Sequence, residues 1–598
     1  MRISASARLG AAGLAIAIAA LPAIGQDRPE SILPPGFGTA TPTPAPTATG
    51  GARPPASEAT PAEPAVGLTV QPLPTETPSP SPSTSPSATP TIDAATLAHY
   101  ELPSFARRSL DEIGPATPSD GGLARDAFGD ADGAYVEALM RRVAAPLPSR
   151  WLSILLRRTL VSRLATPDRI NGADFVAERG WLLLRMGESV AARAVVQSVD
   201  NANYTPKLYQ VALNTALATG DPGALCPLAD AAVGATGERG WTLAQAMCAG
   251  LSGNPAQAKT LIAAARRRNV ASGIDLQLTQ KIAGAGPNGG QAVTIEWDGV
   301  DRLTAWRFGL ATATNVAIPP ALFDGVGAQT RYWYALAPGI ALADRLPAAE
   351  SAAAQGVLSS AAMVDFYGAI AASDDPGAAG AIATDLRAAF TGADRPARLA
   401  GLHSVWGEAA GKPAYARLVL TARAAARLPV ANETAEADTL VAAMLTAGLD
   451  RSAARWASAV DGGSDAWAMI ALADPDARGP RSYGELSSYS GSGDAALKQR
   501  LLFAGLAGLG RLSAEDIERG AAALEVPIGA QNSWTRAIDT AVARRQPGTV
   551  VLLAAIGMQT PAWRGVPPAS LFRIVAALRA VGLEGEARMI AAEAIARA

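Results

Sequence analysis

The sequence predicts an all-α protein of stacked antiparallel helical hairpins, an α-solenoid, preceded by a disordered Pro/Thr/Ser/Ala-rich segment. Three observations carry that expectation. Alanine, the best helix former, is the commonest of the 598 residues, and apolar residues recur at three- and four-residue spacing in stretches such as 151–164 and 173–186. Gly187, Gly220 and Gly253 are spaced by 33 residues. Finally, 17 of the 44 prolines fall between Pro29 and Pro90, so the rest of the chain is left largely free to form helix.

The elements follow in order. Residues 1–25 read as a signal peptide: Arg2 and Arg8 without an acid, an apolar run from Leu9 to Leu21, then the small residues Ala23 and Gly25 before Gln26. That run is shorter than the ~20 helical residues a bilayer requires, so cleavage is expected, with no transmembrane segment after it. Arginine outnumbers lysine 46 to five, a bias that fits a GC-rich bacterial genome. The expected location is therefore the periplasm, with secretion as the alternative. Residues 26–92 bury too little apolar surface to offset their ordering entropy, and as a flexible spacer they reach on the order of 45 Å. Ile32, Leu33 and Phe37 form an apolar island in that spacer, a candidate docking peptide. Then come an N-terminal helical array (93–283), an irregular connecting region (284–350) and a C-terminal array (351–598). A second irregular stretch, 474–494, is rich in Ser, Gly and Tyr.

The hinge of the array has a physical reading. In Gly220, Asp221, Pro222 and in Gly253, Asn254, Pro255, glycine takes the left-handed conformation that ends a helix. Asp or Asn caps the next helix, and Pro fits its first position. Ala192 and Ala258 lie five residues after Gly187 and Gly253, small enough for close helix crossing. Gly448 with Ala453 and Gly582 with Ala587 repeat the pattern, followed by Arg455 and Arg588. On these residues, and on Gly180, the chain resembles the tetratricopeptide family of helical-hairpin repeats. The resemblance covers 175–268, and 435–460 and 570–598 in outline. It departs where Cys226 replaces the partner alanine and Pro227 breaks a helix starting at Pro222. An irregular all-helical array with chance spacing is the alternative.

Cys226 and Cys248 are equidistant from Gly237, in the turn between two expected antiparallel helices. Eleven residues along each helix brings them level, and in an oxidising compartment the pair reads as a disulfide, worth roughly 3 kcal/mol on the chain-entropy model.

Function is bounded mostly by exclusion. A formal net charge of −2 argues against a general nucleic-acid binder. Two distant histidines, His99 and His403, leave little room for His-based catalysis, and neither a metal nor a cofactor is expected. The string from Gly253 to Thr260 mimics a phosphate-binding loop but has Ala258 where a glycine belongs. Gly187 to Ala191 lacks the second glycine of a nucleophile elbow. Glu296, Asp298 and Asp301 read as caps at a helix start rather than paired catalytic carboxylates. Exported lytic transglycosylases have a helical superstructure that this architecture resembles, but their Glu-Ser pair and Gly-Leu-Met-Gln string have no counterpart here. Arginine clusters remain. Arg141, Arg142, Arg150, Arg157, Arg158 and Arg163 lie between Ala138 and Pro167 with no acid, and Arg150, Trp151, Arg157, Arg158 and Arg163 form a candidate interaction patch; Arg266, Arg267 and Arg268 form a second cluster. Planar guanidinium forks suit carboxylates and phosphates. The expectation is a non-catalytic scaffold or adaptor in the cell envelope that binds an envelope protein or an anionic envelope polymer. The alternative is an enzyme, or its accessory subunit, that processes such a polymer.

Overall fold

The computed structural model describes residues 103–598 apart from 291, 408–413 and 432–435, and within it residues 108–598 pack as one unit. The signal and spacer segments, the island of Ile32, Leu33 and Phe37, and His99 lie outside the described residues.

The described chain is all-α, with 26 α-helices. The first group is α1 (Gly133–Arg142), α2 (Arg150–Val161), α3 (Gly172–Arg185), α4 (Ser189–Val196), α5 (Pro206–Ala218), α6 (Ala229–Thr236), α7 (Arg239–Leu251), α8 (Pro255–Arg267) and α9 (Gly273–Gly284). Next come α10 (Ala305–Ala313), α11 (Ala328–Leu336), α12 (Leu342–Gln355), α13 (Ser360–Ala371), α14 (Gly377–Thr391), α15 (Arg395–Trp406), α16 (Tyr415–Ala425) and α17 (Ala437–Thr446). The last are α18 (Asp450–Ala454), α19 (Asp465–Ala473), α20 (Tyr483–Ser487), α21 (Ala495–Gly508), α22 (Ala514–Ala523), α23 (Ser533–Ala543), α24 (Pro547–Gly557), α25 (Pro568–Ala580) and α26 (Glu584–Arg597). One two-stranded antiparallel ribbon, β1 (Glu112–Ile113) with β2 (Leu164–Ala165), pairs Glu112 with Ala165.

One turn joins helix to helix along the chain. The Gly187 amide donates to the Leu184 carbonyl and the Glu188 amide to Leu183, and the same pair of bonds recurs at Gly220, Gly253, Gly448 and Gly582. All five glycines have positive φ, so the bonds that satisfy the last helical carbonyls exist only in the left-handed region. Asn269, Asn315 and Arg545 make the identical turn with positive φ and no glycine. Ala192, Ala258, Ala453 and Ala587 are buried at the crossings that follow. After Gly220 the helix stops at a single 3-10 turn, Pro222–Leu225, as Pro227 dictates.

The apolar core is continuous from Ile113 to Ile595, and a smaller core gathers Tyr332, Met363, Tyr367, Leu386 and Val419 between α11 and α16. The 284–350 segment does not interrupt the larger core, since Leu303, Trp306, Phe308 and Leu310 join it. The stretch 474–494 is pinned rather than loose: it contains α20, and Tyr489 and Ser492 donate their hydroxyl protons to the buried Asp465, the latter at 2.6 Å, with the buried Lys498 Nζ at 2.8 Å.

The last helix joins the two ends of the body. α26 packs on α17, α19, α21 and α25 and also on α2, while α24 packs on α1 and α2. Two early helices therefore share their interior with the end of the chain. At the contact, Glu593 is buried and accepts the Arg150 amide at 2.8 Å, the Trp151 amide at 3.1 Å and the Ser149 hydroxyl at 2.6 Å. Arg597 Nη1 donates to the same carboxylate at 2.8 Å and stacks 4.4 Å from the Tyr415 ring centroid. The carboxylate thus satisfies free amides at the positive end of α2.

Glu593→Ala takes this acceptor from the buried Ser149 hydroxyl and Arg150 amide, and is expected to lower unfolding stability by about 3 kcal/mol or more, read as a shift of the urea midpoint. Glu515→Ala removes the exposed pair with Arg519 and is expected to change it by less than about 0.5 kcal/mol.

Candidate functional site

In the first arginine cluster Arg141, Arg142 and Arg163 are exposed, whereas Arg157 and Arg158 are half-buried and Arg150 is fully enclosed. Arg150 is buried, and its guanidinium donates to the carbonyls of Thr446 (3.3 Å), Leu358 (3.1 Å) and Ala353. Those groups lie at the C-terminal ends of α17 and α12, where a cation meets the negative ends of two helices. Trp151 lies half-buried across the turn at Gly448, its indole N–H donating to Leu445 at 3.1 Å. Arg157 bridges Glu188 and the Gly356 carbonyl, each at 2.8 Å. Arg158 pairs with Glu586 at 2.9 Å and Arg163 with Glu112 at 3.3 Å. Each charge in the candidate patch has a partner, most of them distant in sequence, so these residues staple the fold.

Two further buried groups belong to the same interior system. Arg179, fully buried, donates to the carbonyls of Leu160 at 2.7 Å and Ile113 at 2.8 Å, and burial pushes its pKa down to about 9. Glu188, buried at the start of α4, is pushed up to about 7 by loss of solvent, an effect that Arg157 and Arg150 oppose without cancelling.

The second arginine cluster faces outward. Asn254 caps α8 by accepting the Gln257 amide at 3.2 Å, and Pro255 fills its first position. The helix ends on Arg266 and Arg267, whose charges suit its negative terminus. Between α8 and α9 lies a half-open groove of about 360 Å³. Lys259, Arg266 and Arg267 line it together with Ala258, Ile262 and Ala263 of α8, Gln280, Ala283 and Gly284 of α9, and Gly289. No acid lines it, and the three cations are exposed, with no ion pair among the described residues.

The walls of this groove are set by steric necessity. A Cβ on Gly286 would lie 2.1 Å from the Gly250 carbonyl oxygen, and one on Gly250 would lie 2.4 Å from that of Ala283. α7 and α9 therefore touch backbone to backbone beneath the groove. Cys226, just after the 3-10 turn, is bonded to Cys248 on α7, with Cα atoms 5.3 Å apart, so α7 is tied covalently to the hairpin before it.

The remaining motifs fall elsewhere. Glu296, Asp298 and Asp301 are exposed on a loop and do not cap α10; Thr304 does, accepting the Arg307 amide at 3.2 Å. His403 is 3.7 Å from Glu436. Among the described residues no group of three or more His, Cys, Asp or Glu is placed to hold a metal ion, and no helix is long and apolar enough to cross a membrane. Sequence reasoning named Arg266 and Arg267 but passed over Lys259 and the alanine floor. Its only signal for Lys259 was the dismissed phosphate-loop string, which supplies that lysine.

The fold and the groove define a class: an all-α body of packed helical pairs that carries a basic groove on its surface. Comparison with family models, with curated proteins and with solved structures finds no match to this chain.

The buried Glu188 gives a pH signature. Its folded pKa is raised above the unfolded value, so its contribution is fully present below about pH 4.5 and is lost as pH rises through about 7. Between those limits the wild type is expected to lose on the order of 3 kcal/mol that Glu188→Gln does not lose, as measured by urea unfolding across that range.

Proposed function

We propose that this chain is an exported, non-catalytic binding scaffold of the tetratricopeptide-like kind, acting in the bacterial periplasm. Its groove between α8 and α9 takes an anionic partner of the envelope. The observation that carries this reading is the contrast between the two arginine clusters. The arginines of α2 are consumed by carboxylates and carbonyls of the fold, while Lys259, Arg266 and Arg267 line a groove with no acid and no ion-pair partner among the described residues. Uncompensated cations beside a concave apolar floor are what an anion-binding surface requires. Stacked helical pairs present such surfaces on a rigid frame. The signal-like N-terminus and the proline-rich spacer support export and a tethered reach.

The test is in-cell crosslinking with mass-spectrometric identification, run on the wild type, on a Lys259→Gln, Arg266→Gln, Arg267→Gln variant and on a chain lacking residues 26–92. The expected result is a stoichiometric envelope partner crosslinked at α8 and lost in the triple variant. Turnover of peptidoglycan by the purified mature chain, unchanged in that variant, would overturn the reading in favour of an enzyme.

A further inference from the structure

We propose that the groove between α8 and α9 is the docking site for an extended acidic peptide segment of a partner protein. That segment carries two carboxylates three residues apart, with small apolar side chains between them. The assignment rests on the scaffold reading and names its ligand.

Charge selects an anion. Lys259, Arg266 and Arg267 are exposed and have no ion pair among the described residues, and no carboxylate lines the groove. Spacing selects the repeat of that anion. Lys259 and Arg266 are seven residues apart on one helix, which places them about 10 Å apart along its axis. An extended peptide in the polyproline II conformation rises about 3.1 Å per residue with three residues per turn, so carboxylates at positions i and i+3 lie on one face and reach both ends of the groove. Arg266 and Arg267 together offer two planar forks to the second carboxylate.

The floor selects a peptide over a polyol or sugar phosphate. Between the charged ends it is formed by Ala258, Ile262 and Ala283, and the space is about 360 Å³. Side chains the size of Ala or Val bury against these residues, whereas the successive hydroxyls of a glycerol-phosphate or sugar-phosphate repeat would lose water there with Gln280 as the uncharged polar side chain lining the groove. Contact between the Gly250 and Gly286 backbones and the Cys226–Cys248 bond hold the frame in place before binding, so little ordering cost falls on the protein side.

The experiment uses the chain from Gln26 to Ala598, oxidised, and a fluorescein-labelled peptide, Gly-Ser-Asp-Ala-Val-Glu-Ser-Gly, followed by anisotropy. Saturable binding that weakens with salt is expected, and Arg266→Gln with Arg267→Gln should weaken it by at least about tenfold. Lys259→Gln should weaken it as well, and so should moving the two acids to adjacent positions in the peptide. All three side chains are exposed, and an unchanged thermal midpoint in each variant shows that the fold is intact. Absence of saturable binding, or binding indifferent to these substitutions, overturns the proposal. So does tighter binding of a glycerol-phosphate polymer through the same three cations. If the peptide fails while the crosslinked partner is still captured through another face, the ligand assignment falls and the scaffold reading stands.

Discussion

Taking a carboxylate out of water costs several kcal/mol, and at Glu593 that cost is offset by the amino end of another helix. Two backbone amides, a hydroxyl and a guanidinium converge on its oxygens. The donors come from residues 149–151 and the acceptor from the last helix, so the bond set closes the chain on itself. Arg150 extends the closure: its amide serves Glu593, while its guanidinium caps the carbonyl ends of α12 and α17. A single residue thereby connects four helices. An open helical array has no such contact.

The arginines divide according to that architecture. Those on α2 are buried or half-buried and are matched to acids and backbone carbonyls, which fixes them in place. Those at the end of α8 stand at the outside, because α8 packs chiefly against α7 and α9 and its other face is left to solvent. The same side chain is therefore a structural tie in one place and an exposed charge in another, and the difference is set by packing. Rigidity links the two, since the backbone contact of Gly250 with Gly286 and the disulfide on α7 keep the groove open in the shape the folded body imposes.

The local features were legible in the sequence because their causes are local. Helix periodicity, the left-handed turns at Gly187, Gly253 and Gly582, and the symmetric placement of Cys226 and Cys248 about Gly237 each rest on residues within about two turns or one hairpin. The same turn at Asn269, Asn315 and Arg545 went unread, because without glycine it has no distinctive residue; the backbone bonds alone make it. The patch around Arg150 to Arg163 was misread for the opposite reason. No acid lies within the stretch itself; Glu188 and Glu112 are brought in by neighbouring elements, and Glu586 and Glu593 arrive only when the chain closes. Closure between residues more than 400 apart leaves no local pattern to read. For the groove, Arg266 to Arg268 were visible as a cluster, but the Ala258, Ile262 and Ala283 floor depends on how α9 crosses α8.

The central claim, that Glu593 holds the start of α2 and with it the closure of the body, is tested most directly by hydrogen-exchange mass spectrometry on peptides covering 147–156 in the wild type and in Glu593→Gln. If the carboxylate holds these amides, their protection falls in the variant, together with that of the facing peptide from 590 to 598, while peptides in α7 to α9 keep theirs. Unchanged exchange at 147–156 in a variant that still folds would contradict the account.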